Sequence, residues 1–254
     1  MSFRSNSQRK IHLREFLETQ AEAIHFLSPR VFLCPGGVSL HRLRVALRRM
    51  QAAVWLLRQS PRGPHFEKLM RELASLGGAL GKVRELDVAI KDAGRYGIGC
   101  AGLRTRREKA KDKLRGQLAE PRRRRLAKRI AEALVTVDAF PPQIFGEVRI
   151  RLHHKLARTL ERKNRSPHDL HRLRIVLKKI RYLLESMGRG TGPLRKMQRI
   201  LGNFHDLQAL QELTGPKLSL AKRQVSLRKN LNLQVPPVMR FALQARPEAG
   251  NASV

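Results

Sequence analysis

One helical segment occurs twice in this chain. Leu40-His41-Arg42-Leu43-Arg44-Val45, followed by Leu47-Arg48-Arg49-Met50, returns as Leu170-His171-Arg172-Leu173-Arg174-Ile175, followed by Leu177-Lys178-Lys179-Ile180, 130 residues further on (171 against 41). A second pair follows in the same order: Leu80-Gly81-Lys82-Val83-Arg84-Glu85-Leu86 and Leu201-Gly202-Asn203-Phe204-His205-Asp206-Leu207, 121 residues apart (201 against 80). Two ordered matches at nearly equal offset imply a duplicated unit, its halves packed about a pseudo-twofold axis.

The rest of the chain alternates helical patterns with breakers. Helices are predicted over about 13–27, stopping before Pro29, then 38–59, 66–90, 103–119, 122–137 and 144–163. Three more follow at 168–187, 193–213 and 218–231. Gly77, Gly78 and Gly81 predict a kink or break within 66–90, and 188–192 a turn. Gly215-Pro216 ends a helix, Pro141-Pro142 divides the chain, and 246–254 reads as a disordered tail. No alternating period-2 segment of useful length is present, so the fold class is all-α.

At about 100° per residue, Leu43, Leu47, Met50, Val54 and Leu57 share one arc of the first repeated helix. His41, Arg44 and Arg48 fall opposite, with Arg49 beside them. In the second copy Leu173, Leu177, Ile180 and Leu184 form the apolar arc, and His171, Arg174, Lys178 and Arg181 the basic one. From His41 to Arg48 the rise is about 10 Å, which suits several consecutive phosphates. Neither 38–58 nor 170–184 contains an Asp or Glu. A solvated helix face ordinarily intersperses Glu with Lys, because like charges three or four residues apart repel. One such stripe reads best as a solvated face. Two copies, both free of acids, point to an external anion supplying the missing charge. Arginine adds forked hydrogen bonding to phosphate oxygens, and a polyanion favours protonated His.

The second motif is weaker. Leu194, Met197, Leu201 and Phe204 form a core arc that leaves Arg195 and Arg199 opposite. Arg84 and His205 occupy matching positions and are candidates to reach the anion. Glu85 and Asp206 are expected to hold neighbouring Arg or His side chains, and Gly81 and Gly202 to admit a close helix approach. Residues 104–129 carry 13 Lys or Arg against three Asp or Glu, a net +10, expected to steer anions.

Composition agrees. Lys and Arg number 53 against 20 Asp and Glu, giving +33, which predicts nucleic acid, polyphosphate or an anionic membrane as partner. Cys34 and Cys100 make neither a disulfide framework nor a zinc site, and fit a reducing compartment. No apolar run reaches membrane-span length and no signal-peptide core precedes Arg14, so a soluble cytoplasmic protein without membrane partners is expected. One Trp and two Tyr offer no stacking platform for single strands. The stripes hold no carboxylates for catalytic metal ions and the chain has no P-loop, so no enzyme activity, catalytic residue, metal ligand or cofactor is expected.

The duplicated His-Arg-x-Arg helix resembles the CHAD domain, the α-helical domain named for its histidines. So do Lys178-Lys179-Ile180-Arg181-Tyr182 and Leu-Gly-x-x-Arg-Glu-Leu-Asp at 80–87. The resemblance runs from about residue 14 to 213 and implies one domain over 1–245, its halves at about 13–140 and 143–231. It implies a duplicated helical bundle, pseudo-symmetric around a basic central groove or pore shared by both stripes. It also implies binding of inorganic polyphosphate and, in bacteria, association with polyphosphate granules. His41, Arg44, Arg48, His171, Arg174, Lys178 and Arg181 become the anion contacts by that resemblance. The alternative is non-sequence-specific nucleic-acid binding. The second copy departs from the first at Asn203-Phe204-His205-Asp206, so unequal contributions from the halves are expected.

Overall fold

A computed structural model of the chain describes residues 6–141, 143–161, 166–186, 191–214 and 218–243. Among these residues nine α-helices and two short 3-10 turns are present, and no strand. The helices are α1 (Asn6–Leu33), α2 (Gly37–Leu57), α3 (Glu67–Arg95), α4 (Ala101–Gln117), α5 (Glu120–Val135), α6 (Gln143–Glu161), α7 (Pro167–Ser186), α8 (Gly192–Thr214) and α9 (Leu218–Leu243). The chain divides into two compact units, Met1–Phe140 with Asp206–Leu220, and Pro141–His205 with Ala221–Val254. The tail at 246–254, the turn at 188–190, Gly215-Pro216 and Pro142 lie outside the described residues.

In the first unit α2 packs between α1 and α3, α3 carries α4 on another side, and α5 touches α1 and α3. The five residues of the predicted α2 arc, Leu43, Leu47, Met50, Val54 and Leu57, are all buried, together with Leu40. Each such side chain contributes about 1.5–3 kcal/mol of burial, which fixes the rotation of α2 and turns its stripe away from the core. Gly36 precedes α2 in extended conformation, and Gly37 starts it at φ +62°, a left-handed conformation suited to glycine.

In the second unit α6 packs on α7. Leu173, Leu177, Ile180 and Leu184 are buried, as are Leu194, Met197, Leu201 and Phe204. The start of α7 is a reciprocal cap. Ser166 Oγ accepts from Asp169 N at 3.1 Å, and Asp169 Oδ2 accepts from Ser166 N at 3.2 Å. Two of the backbone donors at the helix start and just before it are satisfied in this way, and Pro167 occupies the first turn.

Several expectations need correction. Helix α1 continues through Pro29 to Leu33. Proline removes one backbone donor, but Leu27 and Val31 on either side are buried and hold the helix to the core. Helix α3 runs unbroken across Gly77, Gly78 and Gly81. Leu73, Leu76, Leu80 and Val83 bury one face throughout that stretch, which outweighs the backbone entropy of the glycines. Gly77 serves packing instead: a Cβ there would sit 3.1 Å from Gln51 Nε2, which donates to the Leu73 carbonyl at 2.7 Å. At Gly81 and Gly202 a Cβ would meet nothing within 4 Å, so neither marks a close helix approach. Helix α9 passes through Pro236 and Pro237 rather than ending near Leu231, with Val238 buried beyond them.

Candidate anion-binding site

The first basic cluster rests on α2 and α3. His41 and Arg42 are exposed, and Arg44, Arg48 and Arg49 half-buried. Arg84, from the neighbouring α3, joins them. His41 is held below its ordinary pKa, first by burial and then by the charges of Arg84, Arg44 and Arg48. No carboxylate contributes to that field. Among the described residues no ion pair joins His41, Arg48 or Arg84 to an acid. Burial first, and then the three cations around it, disfavour the protonated imidazole. Arg49, between stripe and core, is not among the charges acting on His41.

The second cluster lies on α7 and α8. His171 is also held below its ordinary pKa, by burial first and then by Arg174, Lys178 and His168. The ring of His205, on α8, stands 5.6 Å from that of His171, tilted by 50°. Arg181 differs from the other stripe residues. Its Nε lies 3.3 Å from Glu185 Oε1, and its guanidinium covers the Tyr182 ring at 4.6 Å. The acid-free window ends at Glu185, and that first acid takes the last arginine of the stripe. Beside the stripe, half-buried Lys179 has a lowered pKa, from burial first and then from Lys155 on α6.

Some residues that are equivalent by sequence share features, each within its own unit. Arg44 and Arg174, equivalent by sequence, both have their Nε atoms closed off from solvent, so their stems pack while the charged ends lie farther out. Arg84 and His205, also equivalent, each stand beside the histidine that opens the preceding repeated helix. Arg195 and Arg199 are exposed on α8, opposite its buried face, and neither is among the charges acting on His171. Glu85 accepts from Lys82 Nζ at 2.7 Å rather than holding Arg84. Asp87, the last residue of the motif at 80–87, accepts from Arg107 Nε at 2.5 Å. His168 was legible only as part of a helix start. Its spacing of three residues from His171 was the signal that it belongs to the cluster.

Chemically, each cluster offers cationic donors around an imidazole whose protonated form is disfavoured. Among the described residues no group of three or more His, Cys, Asp or Glu is placed to hold a metal ion. No described helix is long and apolar enough to cross a membrane. Both cysteines are free.

The family model for the CHAD domain matches residues 36–215. Among solved structures, the CHAD domain from the plant Ricinus communis aligns with a TM-score of 0.68 at 22% identity, covering 93% of this chain and 91% of that one. PptA from Streptomyces chartreusis aligns with a TM-score of 0.60 at 17% identity, covering 93% and 98%. No curated protein sequence matches the chain.

Proposed function

The chain belongs to the CHAD domain family, and from that premise we propose that it binds inorganic polyphosphate without turning it over. The contacts are His41, Arg44, Arg48 and Arg84 in one cluster, and His171, Arg174, Lys178 and His205 in the other. The observation that carries the reading is that both repeated histidines sit in fields made by cations, with no carboxylate contributing. A folded protein that gathers cations around two histidines, equivalent by sequence, bears a repulsion that a linear polyanion relieves. Arginine forks hydrogen-bond the phosphate oxygens, Lys178 adds a point charge, and the imidazoles become donors at both nitrogens when protonated. That one polymer engages both stripes is part of the proposal, and a double-mutant cycle between Arg48 and Arg174 tests it. Localisation to polyphosphate granules follows as the cellular role.

The deciding experiment is a competition titration. Long-chain polyphosphate, RNA and duplex DNA are compared at equal phosphate concentration across several salt concentrations, because backbone phosphates dominate nucleic-acid affinity and make it steeply salt-dependent. Polyphosphate is expected to displace labelled RNA. Decisive retention of RNA would move the function to nucleic-acid binding. Incubation with polyphosphate and magnesium is expected to release no orthophosphate, and sustained release would make the protein an enzyme.

A further inference from the structure

Helix α4 sorts its charges by face. Arg106, Lys109 and Lys113 fall within an arc of about 60°, while Glu108 and Asp112 lie on the far side of the same helix. The acids are occupied there. Glu108 takes Lys111 at 2.9 Å and Arg107 at 3.2 Å, and Asp112 takes Arg115 at 2.8 Å. None of those partners faces the other arc. Arg106, Lys109 and Lys113 have no carboxylate partner among the described residues.

These three cations line a concavity of about 560 Å³ between α3 and α4, which Lys82 and Arg122 also line and in which no acid takes part. Arg122 likewise has no acid partner among the described residues, whereas Lys82 is bonded to Glu85. The walls are fixed at both ends. Arg107 Nε donates to Asp87 at 2.5 Å near the start of α4, and Ser75 Oγ donates to Gln117 Oε1 at 3.3 Å near its end. The cleft is distinct from the His41 cluster. On α3, Lys82 and Arg84 are about 160° apart around the helix, so one serves the α4 side while the other stands by His41.

We propose that this cleft is a second anion site, for a compact run of linked phosphates, which makes the protein multivalent for its polymer. The inference rests on polyphosphate as the ligand. From Arg106 to Lys113 the helix rises about 10 Å, so several phosphates of one chain are met in sequence. A protein holding separate stretches of chain cross-links long polymers and condenses them, whereas a short oligomer only fills sites.

The test pairs calorimetry with light scattering. Tripolyphosphate reports the number of sites, and long-chain polyphosphate at low molar ratio reports cross-linking. R106A/K109A/K113A is expected to lose one equivalent of tripolyphosphate and most of the scattering, with helicity unchanged by circular dichroism. R62A/R71A/K91A removes the same charge from exposed positions elsewhere and is expected to keep both. Unchanged stoichiometry in the first variant, or an equal loss in the control, overturns the cleft while leaving the main reading intact. If the wild-type protein binds neither anion, both fail.

Discussion

The ring of His205 stands 5.6 Å from that of His171, on a different helix and in a cluster otherwise supplied by cations. His171 is held below its ordinary pKa by burial and then by Arg174, Lys178 and His168, as His41 is by burial and then by Arg84, Arg44 and Arg48. Both His41 and His171 therefore enter binding in the neutral form. An arriving polyanion reverses the local potential and raises their pKa. Binding should take up protons, and affinity should rise as pH falls from about 7.5 toward 5.5. At full uptake each imidazole contributes up to about tenfold per pH unit. Calorimetry at pH 6.5 in buffers of different ionisation enthalpy reads the uptake directly. H41Q/H171Q should abolish most of it. Equal apparent enthalpies in all buffers would separate the histidines from the anion.

The same shifts set the sign of the ligand-free protein's response to acid. The folded pKa of each histidine is depressed, so the unfolded chain binds the proton more readily. These groups impose no penalty above the ordinary imidazole pKa of about 6.5. Stability falls as pH drops from there through the folded values. Denaturant midpoints should decrease over that window, and saturating polyphosphate should blunt the decrease. A midpoint that is flat between pH 7 and 5 would contradict the assigned direction.

Arginines within the stripes should not be equal. Arg48 has no carboxylate partner among the described residues, whereas Arg181 is held by Glu185 and lies over Tyr182. A charge-assisted hydrogen bond is worth about 1.5–3 kcal/mol, and about 1.4 kcal/mol is a factor of ten in affinity. R48A should weaken polyphosphate binding about tenfold or more. R181A should cost only a few-fold in affinity while lowering stability, because it removes the packing on Tyr182 and the ion pair with Glu185. Titration and thermal melting of both variants separate the roles. Equal affinity losses would mean that Arg181 gives up its carboxylate to the ligand.

The stripes were legible in the sequence because they depend on local periodicity. Once Leu43, Leu47 and Met50 are buried, the 3.6-residue turn decides where Arg44 and Arg48 point. The partner positions were half-legible. The repeat marked Arg84 and His205 as equivalent, but only packing of a second helix could bring either beside its histidine. Arg181 was misleading for the reason that makes the stripe visible: the window without acids stops one residue short of Glu185. The helix end before Pro29 was read from a backbone rule. Buried residues on both sides of Pro29 overrode that rule, a tertiary effect that no local pattern carries.

Gly78 within α3 and Gly63 in the turn before it give predictions of opposite sign. Gly78 is exposed in the middle of the helix, and a Cβ there would meet nothing within 4 Å. Alanine removes backbone freedom from the unfolded chain and adds no clash, so G78A should stabilise the protein by about 0.5–1 kcal/mol. Gly63 lies in the turn before α3, where a Cβ would fall 2.3 Å from the Arg58 carbonyl oxygen. That neighbour is backbone and cannot swing aside. The turn has to open, straining the Gly63 N–H to Ser60 carbonyl bond of 2.8 Å. G63A should destabilise by about 1–3 kcal/mol, the usual range for overpacking. Urea titration of the two variants checks both signs. If G78A were destabilising, α3 would have to break at its glycines in solution, and the placement of Arg84 beside His41 would lose its support.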